Sequence, residues 1–175
     1  MNYFKTSLVV IIACFILTSC KKKETVKSDF ESFVLTADLN IPKDNMIALY
    51  YTDGLNQWFS PQKAIWAGLK KKDKNQLISL KMPCGVLPRD LRIDYCFEEF
   101  FGPIQINSII LIYKKGSFKI DRSVFLDYFK PNQYIIYNKE TGVAKPTKIN
   151  GKSQPFFSSK DKLVELILDL EMENI

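Results

Sequence analysis

The chain has 175 residues, of which 46% are apolar and 25% charged, with a formal net charge of +6 and no histidine. Those proportions match a soluble globular domain and exclude a disordered chain and a collagen-like fibre, and the single long apolar run excludes a polytopic membrane protein. Without histidine there is no Ser-His-Asp or Cys-His catalysis, no imidazole metal ligand and no histidine switch near neutral pH.

Lys5 precedes an uncharged run from Leu8 to Leu17. At about 1.5 Å per residue this run makes roughly half the helix that a ~30 Å bilayer core requires. It has the size of a signal-peptide core. Leu17-Thr18-Ser19-Cys20 follows it and resembles the lipobox of bacterial lipoproteins. The resemblance implies a diacylglyceryl group on the Cys20 sulfur, cleavage before Cys20 and acylation, for example by palmitate, of the new amine. Two or more acyl chains anchor a protein stably where one does not. The competing reading is an N-terminal membrane helix that ends in cysteine.

On the lipoprotein reading, residues 1–19 are a signal peptide, residues 20–31 the lipidated cysteine and a polar tether, and residues 32–175 the folded domain. Lys21–Lys23 serve either to attract anionic headgroups or as a solvated spacer. Lys21 is not the aspartate that retains such proteins in the inner membrane of many Gram-negative cells. The expected address is therefore the cell envelope, and the outer membrane if the cell has two.

From Ser32 onward the dominant period is two. Phe33, Leu35, Ala37 and Leu39 share one face of a strand over Ser32–Leu39. Further strands are predicted at Met46–Thr52, Ala64–Gly68, Gln76–Met82 and Asp90–Asp94. Pro103–Tyr113 is expected to be a long strand with Ile104, Ile106, Ile110 and Ile112 on one face, and central because its second half is apolar on both sides. Val124–Phe129, Gln133–Asn138 and Val143–Asn150 complete about nine strands. Turn signals separate them, such as Thr52-Asp53-Gly54 and Glu140-Thr141-Gly142. Lys70–Asn75 reads as an exposed basic hairpin loop. Lys162–Ile175 fits a strand template at nine of ten positions, although Leu163, Leu166, Ile167 and Leu170 would also share a helix face. The strand is the favoured reading. The expected fold is an all-β antiparallel sandwich.

Trp58-Phe59-Ser60, Gln76–Pro83 and Leu91–Asp94 followed by Gly102–Ile109 resemble, in that order, the jelly-roll, galactose-binding-like sandwich found in bacterial envelope glycan and membrane proteins. The resemblance spans roughly residues 33–157 and implies a jelly-roll-like fold more than any activity. Where that family continues Pro-Gly after the aspartate, this chain has Tyr95-Cys96-Phe97, so a ligand loop at that place would be rewritten.

Several residues could carry chemistry. Cys84 and Cys96 could pair in an oxidising envelope, or be two independent buried thiols. Asp94, Glu98 and Glu99 form an acidic group beside Phe97, Phe100 and Phe101. Glu98 and Glu99 would point to opposite faces of a strand, so they make a poor acid–base couple. A calcium site on Asp94 and Glu98 lacks a full ligand set. Arg92 and Asp94 lie two residues apart on one strand face, as a structural pair or as polar contacts to a sugar hydroxyl. Tyr50, Tyr51, Trp58 and Trp66 offer flat rings for stacking on sugars, or ordinary core packing. The candidate ligand-binding set is Trp58, Tyr51, Arg92 and Asp94.

The expected protein is a lipid-anchored, non-catalytic envelope module that needs no metal or cofactor. It would bind a glycan or another envelope component. The alternative is an accessory subunit docking on a membrane-protein partner. Nucleic acid is not expected, because basic and aromatic residues do not interleave.

Overall fold

The computed structural model describes residues 31–54, 58–95, 97 and 102–172. The lipobox with Cys20, together with Cys96, Glu98 and Glu99, lies outside the described residues. Within them the chain forms an all-β sandwich of two antiparallel sheets with eleven strands. Sheet A has the order β4 (Gln76–Lys81), β1 (Val34–Asn40), β6 (Ile104–Tyr113), β10 (Val143–Pro146) and β9 (Ile135–Asn138), with β7 (Gly116–Asp121) also on β6. Sheet B has the order β3 (Ala64–Leu69), β2 (Asn45–Thr52), β5 (Asp90–Tyr95), β11 (Phe156–Ser159) and β8 (Phe129–Pro131).

Alternation does what it should in the strands read most plainly from sequence. Phe33, Leu35, Ala37 and Leu39 are buried in β1 and just before it, as are Leu91, Ile93 and Tyr95 in β5. Their partners in the core are Ile47, Leu49 and Tyr51 of β2 and Leu80 of β4. The loop of Lys70–Asn75 is exposed, but it crosses from sheet B to sheet A and closes no hairpin.

The long strand β6 is central, yet its facing changes midway. Asp38 pairs with Ser108 while Leu39 pairs with Ile106, so Asn107 is an extra residue opposite one step of β1. This is a β-bulge, and it inverts the alternation beyond it. Ile104 and Ile106 point inward before it, and Ile109, Leu111 and Tyr113 after it. The expectation that Ile110 and Ile112 share the face of Ile104 is therefore corrected: Ile112 is exposed. Asn107 Nδ2 donates to Asp38 Oδ1 at 3.3 Å across the bulge. At the same point β6 exchanges partners, pairing with β10 through Ile104 and Gln105 and with β7 from Ser108 onward.

Two expected strands are helical. Arg122–Val124 is a single 3-10 turn that runs into a short helix α1, Phe125–Tyr128. Asp161–Met172 is the helix α2. Its buried side chains are Leu163, Ile167 and Leu170, spaced by four and three residues, and that stripe packs on α1, β7 and β11. The strand template also counted alternation, but a strand would have exposed Leu163 and Ile167 on one side or the other, and Leu and Glu favour the helix. Strands β7, β8 and β11 are additions to the predicted set.

Four rings wedge the sandwich at one end. Phe125 of α1 stacks on Phe129 of β8 at 4.9 Å and meets Phe157 of β11 edge-on at 5.1 Å. Tyr137 of β9 lies 5.3 Å from Phe125 and 5.8 Å from Phe157. The Tyr137 hydroxyl is buried without a hydrogen-bond partner, and burial pushes its pKa up to about 12. A phenol whose folded pKa is raised stabilises the fold below its unfolded value of about 10, and that contribution is lost as pH rises toward the folded value. Tyr137→Phe should leave stability at neutral pH unchanged or raise it by up to about 1 kcal/mol, since an unpaired polar group is removed. In urea titrations it should also flatten the alkaline decline of the wild-type protein; a loss of more than that amount at neutral pH would contradict the assignment.

Gly142 closes the turn before β10 at φ 71° and accepts a hydrogen bond from the Ile106 amide at 2.9 Å. A Cβ there would run into the Ile106 carbonyl oxygen. Gly142→Ala should cost about 3 kcal/mol or more from left-handed strain plus backbone displacement, measured by chemical denaturation.

A candidate binding face on sheet B

The outer face of sheet B is built by the residues that β2, β3, β5 and β11 do not bury in the core. Register places Trp66, Ala48, Asp94 and Phe156 in one row across the four strands, and Ala64, Tyr50, Arg92 and Ser158 in the next. Arg92 and Asp94 are two residues apart, so they lie on the same face and Arg92 reaches along its own strand. Its Nε donates to Asp94 Oδ1 at 2.7 Å and its Nη2 to Oδ2 at 2.6 Å. The two parallel bonds fix the guanidinium plane. Phe156 lies under that plane at 3.9 Å and Tyr50 at 5.4 Å. Trp66 meets Tyr50 edge-on at 6.0 Å and Phe97 at 5.0 Å.

These rings give the sheet a partial second layer. Ala48 is fully buried and Asp94 is 4% exposed, although both are on the outer face. Trp66 remains 46% exposed. Burial raises the Asp94 carboxyl above its ordinary range, against the opposing pull of the Arg92 hydrogen bonds and charge. Desolvation therefore outweighs the ion pair, as is common for buried pairs. Burial, with the Asp94 charge, likewise raises the Tyr50 phenol and keeps it neutral.

Asp94 also lines a cavity of about 530 Å³ at the end of β5, with Phe97, Tyr134, Lys148, Lys152 and Gln154. One wall is the hairpin Ile149–Lys152, whose end residues exchange both backbone hydrogen bonds, at 2.9 and 3.0 Å. Asn150 and Gly151, at φ 51° and 75°, form its tip. That is the primed turn that Asn-Gly favours. Asn132 ties this wall down. Its Nδ2 donates to the Gln154 carbonyl at 2.6 Å, while its Oδ1 accepts from the Tyr134 and Phe156 amides.

The sequence-derived candidates divide. Arg92 and Asp94 come together at the centre of this face. Tyr51 does not: it is 6% exposed and points into the core, because Tyr50 takes the outer position in β2. Trp58 is 81% exposed in the β2–β3 connection and takes no part in the ring contacts of this face. Phe156 and the Asn150-Gly151 hairpin were not among the candidates. The Asn-Gly dipeptide was the available signal for the hairpin. Cys84 is half-buried, with Sγ 3.8 Å from Glu31 Oε2. Among the described residues no group of three or more His, Cys, Asp or Glu side chains could hold a metal ion.

The chain matches no family model, no curated protein and no solved structure.

The raised Asp94 carboxyl has a stability consequence. The folded state holds that proton more tightly than the unfolded chain, so the contribution favours folding in acid and declines as pH rises above about 4. Asp94→Asn should remove this decline, seen as a less negative slope of unfolding free energy against pH than in the wild-type protein. An unchanged slope would refute the assignment.

Proposed function

We propose that the protein is a lipid-anchored module of the bacterial cell envelope whose sheet B outer face binds a carbohydrate without catalysis. The observation that carries this reading is the half-exposed Trp66 ring, braced by Tyr50 and Phe97 beside the Arg92–Asp94 pair and the 530 Å³ cavity. A braced ring offers a flat apolar surface at little entropic cost, suited to the C–H face of a sugar. Phe97 joins this ring to the cavity, where Lys148, Lys152 and Gln154 offer partners for hydroxyl groups. The cavity lining mixes the aromatic Phe97 and Tyr134 with the polar Asp94, Lys148, Lys152 and Gln154, so a ligand there meets both apolar surface and orienting polar groups. Cys20, after Leu17-Thr18-Ser19, supplies the anchor.

Purified protein on an array of envelope and extracellular glycans should give a hit that Trp66→Ala weakens about tenfold or more, equal to ~1.4 kcal/mol. Trp58→Ala should retain it. An array blank for the wild-type protein would sink the carbohydrate reading. Separately, Cys20→Ala should release the protein from membranes and abolish metabolic lipid labelling; membrane retention without label would overturn the anchor.

A further inference from the structure

A second feature, apart from the carbohydrate face, lies at the edge of sheet B. Among the described residues strand β3 ends the sheet and pairs with β2 alone. Its outer backbone groups face away from the sheet. Its sequence, Ala64-Ile65-Trp66-Ala67-Gly68-Leu69, has no charge and no proline. The other edges among the described residues are guarded in the usual ways. Strand β8 has three residues, two of them Lys130 and Pro131, and β9 has four. Strand β7 carries Lys119 and Asp121, and β4 ends in the exposed Lys81.

Gly68 sharpens the point. It is exposed, and a Cβ placed on it would meet nothing within 4 Å. Neither its backbone angles nor a crowded neighbour demands glycine. A glycine in a strand weakens it and often marks where another backbone approaches closely. Beside the Trp66 ring it leaves a notch on the rim of the sheet.

The two ends of β3 differ in charge. At the start, Lys63 is neutralised by Asp53 at 2.6 Å. At the end stands the run Lys70-Lys71-Lys72-Asp73-Lys74, every residue of it exposed. Asp44 holds that run in place. Its Oδ2 pairs with Lys70 Nζ at 2.9 Å and its Oδ1 accepts from the Lys71 amide at 2.7 Å. The edge is therefore apolar along its length and positive at one fixed end.

We infer that β3 is a docking edge for an extended segment of a partner protein that adds as a further strand, with apolar residues at alternate positions and carboxylates at the end beside Lys70–Lys74. Main-chain hydrogen bonds to the β3 edge would supply affinity, and the Trp66–Gly68 notch and the lysines would supply selectivity.

The test uses the full chain in detergent and immobilised peptides. One probe is three glutamates followed by alternating valine and threonine. A second carries three lysines instead, and a third has a central valine replaced by proline. The first should be captured, with the other two weaker by about tenfold or more, and capture should weaken as salt rises. Gly68→Lys should weaken capture by a similar factor without changing the melting temperature, because the site has room for a side chain. Amides of residues 64–69 should gain hydrogen-exchange protection with the first peptide. Equal capture of all three peptides, capture of none, or an unaffected Gly68→Lys variant would overturn the inference. So would a wild-type dimer in sedimentation that Gly68→Lys dissociates, since the occupant would then be a second copy of the chain. Arg92→Ala separates this edge from the carbohydrate reading: it should weaken glycan binding and leave peptide capture intact.

Discussion

Four aromatic rings drawn from four different elements hold the two sheets in their relation to each other. Phe125, Phe129, Tyr137 and Phe157 come from α1, β8, β9 and β11; Phe125 and Phe129 are four residues apart, while Tyr137 and Phe157 are brought to them from elsewhere in the chain. Each ring alone buries a large apolar area, and close packing makes that area costly to vacate. The wedge explains why the chain after β7 leaves sheet A through a short helix before it enters sheet B. It also explains why α2 must fold back on that helix to finish covering the end. Strand β11 then carries the effect outward. Phe157 points into the wedge while Phe156, one residue earlier, lies under the Arg92 guanidinium. Core and candidate site are thus joined through the alternation of a single four-residue strand.

The electrostatics of the face follow from that cover. An arginine and an aspartate on an open sheet would be a screened surface pair of little energetic consequence. Here rings on both sides remove water, so the carboxylate pays a desolvation cost that its partner does not fully offset. What the arrangement gains is rigidity. Two parallel hydrogen bonds and two flanking rings leave the guanidinium no freedom, and a site already ordered loses less entropy when a ligand arrives.

Much of this was legible in the sequence wherever one face of a strand is buried and the other wet. The inward sets of β1, β4 and β5, and the pairing of Arg92 with Asp94 on one face, follow from a period of two. Parity decided the tyrosines, and only the structure fixes parity: Tyr50 lies outside and Tyr51 inside because Leu49 and Ile47 hold the core positions. The tail misled because Leu and Ile at nearly every second place satisfy both periods, and the burial of Leu163, Ile167 and Leu170 decided between them. Phe125 lay hidden in a stretch that alternates like a strand. Strands β8 and β11 are too short to generate a pattern. The Asn150-Gly151 turn did carry a local signal, concealed within a longer run of strand-like residues.

The bulge at Asn107 sets a phase. Before it the even-numbered residues of β6 belong to the interior, and after it the odd-numbered ones do. Everything downstream in sheet A, including the pairing of Ile109 with Ile120 and of Leu111 with Phe118, is counted from that step. Loss of Asn107 would straighten the strand and still leave Ile109, then two positions after Ile106, facing inward. Loss of Ile110, beyond the step, differs in kind: the bulge would stay, and Leu111 and Tyr113 would turn toward water together. The length of the strand on either side of the bulge is thus constrained to the residue, while the bulge itself is marked by the side-chain bond from Asn107 to Asp38.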